Sequence, residues 1–390
     1  MSQLLDSVLA AARQLGASDV HLKAGLPPIF RIKGDLRTIP DVPALSRDQI
    51  AEFAVHMMND RQRADFEQDL DLDLAYGTPD GARHRVNLFQ QRGSVGMVLR
   101  LIPPEVPPFE RLSLPHTVLD LTAHPRGIIL VTGATGSGKS TTLAAMIDHV
   151  NTQHAYHIVT VEDPIEHLLR DKRSVCSQRE LGLDTMSFSR ALRAALRQDP
   201  DVLFIGELRD HEACALAITA AGTGHLVLSA LPAADAVEAI DRLVALFPAD
   251  QQPWARRGLA SVLRGVISQR LLPRADGNGM VPALEILVNT EQIRELIEDG
   301  RRPREVRIAI AEGLQPHGMM TFEQSLANLV KQRLVTYDEA LRHTTSPTDF
   351  ALLFRGGSPS PHPGWANGPV LVDANPGAGH DELQIEHEGK

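Results

Sequence analysis

A glycine-rich stretch, GATGSGKSTT at residues 133 to 142, carries the clearest chemical signal in this chain. It matches G-x-x-x-x-G-K-[ST], in which backbone N–H groups cradle phosphates, the lysine reaches the β- and γ-phosphates and the hydroxyl ligates Mg²⁺. The stretch therefore predicts a nucleoside triphosphate and Mg²⁺, with Lys139 on the phosphates and Ser140 on the metal. The predicted contacts in this loop are Gly133, Ala134, Thr135, Gly136, Ser137, Gly138, Lys139, Ser140 and Thr141.

Carboxylates end two of the apolar runs that follow this loop. Glu207 closes DVLFIGE and is suited to Mg²⁺ or its water shell, while VTVEDPIEH supplies Glu162, Asp163 and Glu166. Hydrolysis needs a carboxylate that orients the attacking water and accepts its proton, so Glu162, Glu166 and Glu207 are the predicted catalytic residues. For Asp163, which precedes a proline, a structural role as a helix N-cap is the alternative.

The elements that must position these groups have the pattern of a wound α/β domain. Four short, nearly continuous apolar runs, GIILVTG, HIVTVED, DVLFIGE and HLVLSAL, are typical of strands buried on both faces of a parallel sheet. Helical stretches alternate with them. The sequence therefore predicts an α/β domain over residues 116 to 345 whose ligand site lies at the carboxyl ends of the strands.

The flanking segments have different compositions. Residues 1 to 105 mix strand-like runs with two helical patterns, which predicts a small α+β domain. Residues 106 to 115 continue a proline-rich stretch that begins at Pro103 and Pro104, and we expect it to exclude regular structure and act as a semi-rigid linker. Residues 346 to 390 are rich in Pro, Gly and Ser, which predicts a disordered tail.

Composition narrows the function classes. The net charge of −10 and the 4% aromatic content argue against a nucleic-acid motor, and no apolar run approaches the roughly 18 residues of a membrane span. The two cysteines, Cys176 and Cys214, suggest neither disulfides nor a metal site. We expect the arginines of residues 254 to 274 on a solvated or subunit-facing helix surface.

Four ordered motifs carry a family resemblance over residues 1 to 345. They resemble the Walker A motif, Asp box, Walker B motif and His box of secretion ATPases, specifically of the PilT/PilU family of type IV pilus retraction ATPases: GATGSGKSTTLAAMIDHVN, VTVEDPIE, QRELGLDTMSFSRALRAALRQDPDVLFIGELRD and TGHLVLSAL. GMVLRLI and LLPRADGNG look closer to the PilU branch. The resemblance implies a P-loop RecA-like ATPase domain with a parallel sheet, preceded by a PAS-like α+β domain, and ATP as the nucleotide.

The resemblance also implies roles for individual residues. Glu166 would be the catalytic base of the Asp box, Glu207 the Walker B acid and His225 the first His-box histidine, in contact with the nucleotide. The N-terminal domain of the family supplies arginines that reach a nucleotide, and the candidates are Arg85, Arg92 and Arg100; the alternative is that they are exposed on a hairpin. QIRELIEDG, residues 292 to 300, resembles a box associated with retraction.

Two positions depart from the family pattern. Pro232 stands where the second His-box histidine is expected, and Gly222 stands where the family usually has a glutamate. Proline has neither a side-chain donor nor a backbone N–H. If the missing histidine senses the γ-phosphate, the loss of one hydrogen bond to a charged group slows turnover roughly ten- to a hundredfold.

Two functions follow from the resemblance. The first is an ATP-hydrolysing motor of pilus retraction and twitching motility, a homo-hexamer at the cytoplasmic face of the inner membrane that works with a PilT-like ATPase and the inner-membrane platform protein. We expect it to bind no nucleic acid and to have no membrane span. The alternative is an ATP-binding ring subunit with weak or no hydrolysis, because Pro232 replaces a histidine. A helicase is the least supported reading, since no stacking platform is visible.

Overall fold

The computed structural model describes residues 2–32, 34–39, 42–102 and 105–356. Its first part is an α+β domain built on one antiparallel sheet. The elements are α1 (Ser2–Gln14), β1 (Asp19–Lys23), β2 (Ile29–Ile32), β3 (Asp35–Thr38), α2 (Arg47–Met57), α3 (Asp60–Asp69), β4 (Asp71–Gly77), β5 (Arg83–Gln91) and β6 (Ser94–Ile102). The six strands lie in the order β3-β2-β1-β6-β5-β4. The predicted small α+β domain is thus present.

Strand β5 shows how this domain presents side chains to its surroundings. His84, Val86 and Leu88 are buried in the domain's own core, and the alternate residues are only half-buried. Because successive side chains of a strand point to opposite faces, Arg83 and Arg85 share the face that is turned away from this core. The alternation therefore frees two arginines for contacts outside the domain.

The segment between the domains is packed against the second one. Phe109 is buried, and Val106, Leu112 and Leu114 pack around the same apolar cluster of the second domain. A 3₁₀ turn spans Phe109–Arg111. The expectation that prolines exclude regular structure here is therefore wrong, because a 3₁₀ turn fits between them. Pro103 and Pro104 lie outside the described residues.

The second domain is a wound α/β structure. Its first helix is α4 (Thr117–Asp120), which a 3₁₀ turn, Leu121–Ala123, follows directly. The remaining elements are, in chain order, β7 (Gly127–Thr132), α5 (Lys139–Gln153), β8 (His157–Glu162), β9 (Val175–Glu180), α6 (Phe188–Ala195), β10 (Val202–Glu207), α7 (His211–Gly222), β11 (Leu226–Leu231), α8 (Ala236–Ala245), α9 (Gln252–Val262), β12 (Leu263–Pro273), β13 (Met280–Val288), α10 (Glu291–Asp299), α11 (Pro303–Glu312), α12 (Leu314–His317), α13 (Phe322–Lys331), α14 (Tyr337–His343) and α15 (Pro347–Phe354).

Seven strands form the sheet of this domain, in the order β13-β12-β7-β11-β10-β8-β9. All neighbours are parallel except β13, which runs antiparallel to β12. Ile128 and Leu130 of β7 enter one apolar core, and Ile129 and Val131 enter another, so the sheet is covered on both faces. The predicted α/β class with a parallel sheet is confirmed, including all four strands that the apolar runs indicated.

The arginine-rich stretch of residues 254 to 274 is not one helix surface. Helix α9 ends at Val262 and strand β12 begins at Leu263. The guanidinium of Arg270 lies 3.8 Å from the ring centroid of Phe322, and Arg256 pairs with Asp241 at 2.7 Å. The predicted solvated helix surface is therefore wrong for Arg270, which lies on a strand and packs its guanidinium on Phe322.

The predicted tail begins with folded structure. Helix α15 lies within it and follows the N-cap Ser346, whose side chain accepts a hydrogen bond from the N–H of Asp349. It buries Phe350 completely, next to Tyr337 of α14. The boundary at residue 346 is thus placed too early, because one aromatic anchor suffices to dock a short helix. Residues 357 to 390, the rest of the predicted tail, lie outside the described residues.

Candidate functional site

The phosphate loop joins β7 to α5 and leaves the sheet at its carboxyl edge. Gly133, Gly136 and Gly138 have φ values of 143°, 81° and 88°. A Cβ atom at Gly133 would overlap the backbone oxygen of Gln269. A Cβ atom at Gly138 would lie 2.7 Å from the side-chain Nε2 of Gln269. Glycine is therefore required at Gly133 by φ and by the backbone of β12, and at Gly138 by φ.

Lys139, the first residue of α5, is held within this loop. Its ammonium donates to the carbonyl oxygens of Gly133 and Ala134, both at 2.9 Å. Burial lowers the pKa of Lys139, and the nearby carboxylates of Glu207 and Glu166 oppose that shift. The ammonium is therefore held by the loop and lies near two of the three predicted catalytic acids, Glu166 and Glu207.

Three predicted acids come together at the carboxyl edge. Glu162 ends β8, Glu207 ends β10, and Glu166 lies in the loop after β8. All three line one cavity of about 550 Å³ that also contains Lys139 and Ser140. The sheet thus brings together acids that are 45 residues apart in the chain, from 162 to 207.

Glu162 differs from the other two acids in burial. Its side chain is 5% exposed, and its Oε1 accepts from Thr160 at 2.6 Å and Gln178 at 3.0 Å. Burial raises the pKa of Glu162 to about 7, although these hydrogen bonds oppose the rise. A carboxyl group with this pKa can exchange a proton near neutral pH. Glu166, in contrast, is exposed to the cavity.

Asp163 has no helix to cap, because no helix follows it before β9. Its carboxylate pairs instead with Arg209 at 3.1 Å, and Arg209 also pairs with Glu207 at 3.1 Å. The alternative role as an N-cap is therefore wrong. Arg209 lines the cavity and was missed by the sequence analysis, although its place two residues after Glu207 could have indicated it.

The three predicted arginines separate into two groups. Arg85 and Arg100 are direct cross-strand partners on β5 and β6, and both line the cavity with the phosphate loop. Arg92 lies at the tip of the hairpin between these strands, where φ is 49°. It lines a different cavity, together with Lys23 and Arg47. The structure therefore places Arg92 apart from the phosphate loop, and its contact with a nucleotide stays a prediction.

His225 is also placed away from the phosphate loop. It precedes β11, and its carbonyl accepts from the N–H of Gly127 at the start of β7. Its Nδ1 lies 2.9 Å from the Ala220 oxygen. Since β7 and β11 are parallel, a strand of six residues, roughly 20 Å, separates His225 from the loop. The structure therefore places His225 apart from the phosphate loop of its own chain, and its contact with a nucleotide stays a prediction.

The two departures from the family pattern lie at opposite edges of the sheet. Pro232 directly follows β11 at the carboxyl edge, next in the chain to Leu231, which pairs with Thr132. Its carbonyl accepts a hydrogen bond from Arg242. Gly222 ends α7 at the amino edge and is exposed. Only Pro232 is therefore near the predicted chemistry.

The residues present fit a nucleotide with Mg²⁺. The described residues contain no group of three or more His, Cys, Asp or Glu that could hold a metal alone. Mg²⁺ commonly uses one or two protein ligands and completes its shell with water and substrate phosphates. Ser140 and Glu207 line the same cavity as the phosphate loop and supply such a pair.

His167, next to Glu166, is a further cavity residue that the sequence analysis missed. It is 9% exposed, and its Nδ1 has no hydrogen-bond partner among the residues that the structure describes. Burial lowers the pKa of His167, with Glu166 opposing the shift. Burial thus favours the neutral form of an imidazole that adjoins the predicted base.

None of the helices in the described part of the chain has the length and apolar content that crossing a membrane requires.

The Type II/IV secretion system protein family model matches residues 1–333. The chain is 43% identical over 346 residues to the type IV pilus retraction ATPase PilT of Pseudomonas aeruginosa, covering 89% of this chain and 99% of that protein. It is 38% identical over 355 residues to the type IV pilus ATPase PilU of the same organism, covering 91% and 92%.

Solved structures agree with these relatives. The pilus retraction motor PilT with bound ADP superposes with a TM-score of 0.80 at 43% identity, covering 88% of this chain and 98% of that one. The Legionella pneumophila ATPase DotB gives a TM-score of 0.71 at 27% identity, covering 86% and 94%. The identities to PilT and PilU do not resolve the branch. The chain therefore belongs to the Type II/IV secretion system protein family and, within it, to the PilT/PilU family of type IV pilus ATPases.

Proposed function

We propose that this chain is an ATP-hydrolysing motor of type IV pilus retraction. The observation that carries the proposal is one cavity lined by Lys139, Glu166 and Glu207 of the ATPase domain and by Arg85 and Arg100 of the N-terminal domain. A nucleotide in this cavity contacts both domains, so its hydrolysis can change their relative position. The relatives' names, a pilus retraction ATPase and a twitching motility protein, support the direction of the motor.

The proposed chemistry assigns one role to each group. The phosphate loop and Lys139 bind the phosphates, Ser140 and Glu207 hold Mg²⁺, and Glu166 orients the attacking water and accepts its proton. Mg²⁺ supplies charge neutralisation on the phosphates when bound. Arg85 and Arg100 contribute donors from the opposite wall of the cavity.

The assembly is part of the same proposal. We propose a homo-hexamer at the cytoplasmic face of the inner membrane, acting with a PilT-like partner ATPase and the inner-membrane platform protein, as a PilU-like member would. Its support is the family membership and the 98% coverage of the PilT motor structure. Native mass spectrometry with ATP should show a species of six chains, and only smaller species would contradict the ring.

The test of the motor function is steady-state ATP hydrolysis by the full-length chain. Mg²⁺-dependent turnover should occur in the wild type, and Glu166→Gln should keep ATP bound while it lowers kcat at least about a hundredfold. The matched control is Glu67→Gln, which changes an exposed glutamate of α3 outside the cavity. Full activity of Glu166→Gln would remove this residue as the base.

A further inference from the structure

Glu180, the last residue of β9, joins three parts of the molecule. It is 4% exposed, and its Oε2 accepts from Nη2 of Arg83 at 2.6 Å. The same oxygen accepts from the backbone N–H of Ile165 at 3.2 Å. One buried carboxylate therefore connects an arginine of the N-terminal domain to the residue directly before Glu166.

The loop that carries Glu166 is held by β9 at a second point. Gln178 donates to the carbonyl of His167 at 2.9 Å and accepts from the N–H of Leu169 at 2.8 Å. Glu180 and Gln178 have side chains on the same face of β9, because they are two residues apart. The backbone on both sides of Glu166 is thus fixed to one edge strand of the sheet.

Arg83 of the N-terminal domain contacts strand β9 through Glu180. Within residues 2–32, 34–39, 42–102 and 105–356, the pair of Arg83 and Glu180 is the one ion pair that joins the N-terminal domain to the ATPase domain. Arg83 shares a face of β5 with Arg85, which lines the nucleotide cavity. One strand of the N-terminal domain therefore contacts both the cavity and the support of the base.

Separating Arg83 from Glu180 would cost free energy, because Glu180 is buried. Burial raises the pKa of Glu180, while Ile165 and Arg83 stabilise its charged form. If the N-terminal domain moved away, a buried carboxylate would lose its cationic partner, which is strongly unfavourable. The Ile165 segment is therefore expected to follow Arg83 when the domains move.

We propose that Arg83 and Glu180 are positioning residues, through which the N-terminal domain sets the position of Glu166 and so determines when a chain is able to hydrolyse ATP. This proposal rests on the function proposed above. It assigns to the domain interface a role in turnover that is separate from nucleotide binding, because neither Arg83 nor Glu180 lines the nucleotide cavity.

The kinetic test compares Arg83→Gln, Arg83→Lys and the control Arg37→Gln in the full-length chain. Arg37 is exposed and pairs with Asp35 on the far edge strand β3 of the N-terminal sheet. Arg83→Gln should lower kcat by about ten- to a hundredfold with the Kd for ATP changed less than about threefold, and Arg83→Lys should recover part of the loss. An unchanged kcat in Arg83→Gln would overturn the proposal.

A double variant separates positioning from direct chemistry. If Arg83 acts through Glu166, adding Arg83→Gln to Glu166→Gln should cause almost no further loss of kcat, whereas independent effects multiply. A product of the two single effects would therefore contradict the proposed route.

Hydrogen exchange provides a readout that does not depend on hydrolysis. In Arg83→Gln, the amide of Ile165 should exchange about tenfold faster than in the wild type, while the amides of α5 should keep their rates. Unchanged exchange at Ile165 would overturn the positioning role even if the wild type proved inactive. Conversely, faster exchange in a chain without ATPase activity would contradict the proposed motor function and not this contact.

Discussion

The two edges of the ATPase sheet differ in what their motif residues can reach. At the carboxyl edge, the phosphate loop, Glu166 and Glu207 line one cavity, although they come from three separate motifs. At the amino edge, His225 belongs to a fourth motif and contacts the start of β7 and the end of α7. Strand direction accounts for the difference, because a motif that ends a parallel strand joins the site and one that begins a strand does not.

The largest effect should follow from changing the centre of the carboxyl edge. Lys139→Ala removes the ammonium that the loop carbonyls hold, and ATP affinity should fall by more than about a hundredfold because a charged hydrogen bond to phosphate is lost in a partly buried site. Equilibrium titration with a fluorescent ATP analogue measures it. Lys172→Ala is the matched control, since Lys172 pairs with Asp148 at 2.7 Å outside the cavity. Wild-type affinity for ATP in Lys139→Ala would contradict the assignment of this stretch as the phosphate-binding loop.

Glu162 tests whether burial at this edge holds a proton. Its pKa is raised by burial from 4.5 to about 7, so the folded chain binds the proton more tightly than the unfolded chain. The free energy of unfolding should therefore fall as pH rises from about 4.5 to 7 and be unaffected by this group outside that window. Glu162→Gln keeps an acceptor for Thr160 and removes this dependence.

The pKa shift of Glu162 sets the expected size of this change in the free energy of unfolding. Denaturant unfolding of Glu162→Gln and wild type should show a relative gain for the variant of about 2 to 3 kcal/mol at pH 8 compared with pH 5. Glu67→Gln, on the surface of α3, should show no such change between the two pH values. An equal difference at both pH values would mean that Glu162 is ionised in the folded chain.

Much of the fold was predictable because the relevant signals are local. The strands β7, β8, β10 and β11 are mostly apolar, and four or more of the six residues in each are buried, so composition alone indicated them. The glycines of the loop and the acids at strand ends predicted one site, since parallel strands end at one edge. The order of these residues along the chain could not predict the order of the strands in the sheet or how deeply a given side chain is buried.

The elements that the sequence analysis missed are polar for reasons of function or tertiary packing. Strand β9 reads VCSQRE, which has no apolar pattern, because Gln178 and Glu180 hold the neighbouring loop. In β12, Arg270 is charged and yet packs on Phe322. Arg92 matched the expected type of residue, but the hairpin register places it at the tip. These outcomes depend on partners that are distant in sequence.

Pro232 offers a smaller test at the carboxyl edge. Pro232→His restores a side-chain donor directly after β11, and kcat should rise about tenfold with an unchanged Kd for ATP, if the donor reaches the phosphate only during turnover. Steady-state hydrolysis with Mg²⁺ measures it. The control Pro248→His changes an exposed proline outside the cavity. An unchanged kcat would mean that position 232 makes no contact with the reacting phosphate, and that its proline leaves hydrolysis intact.

The smallest effect is expected at the amino edge, from His225→Ala. The variant loses a hydrogen bond to the Ala220 oxygen, worth about 1 kcal/mol, and so should unfold at slightly lower denaturant concentration. Its ATP affinity should stay within about twofold of the wild type, because roughly 20 Å of strand separates the ring from the phosphate loop of the same chain. A tenfold loss of affinity would contradict this, and it would have a physical explanation only if His225 reached a nucleotide held by a different copy. Dilution would then separate the cases, since a contact between copies weakens as the assembly dissociates and a contact within one chain does not.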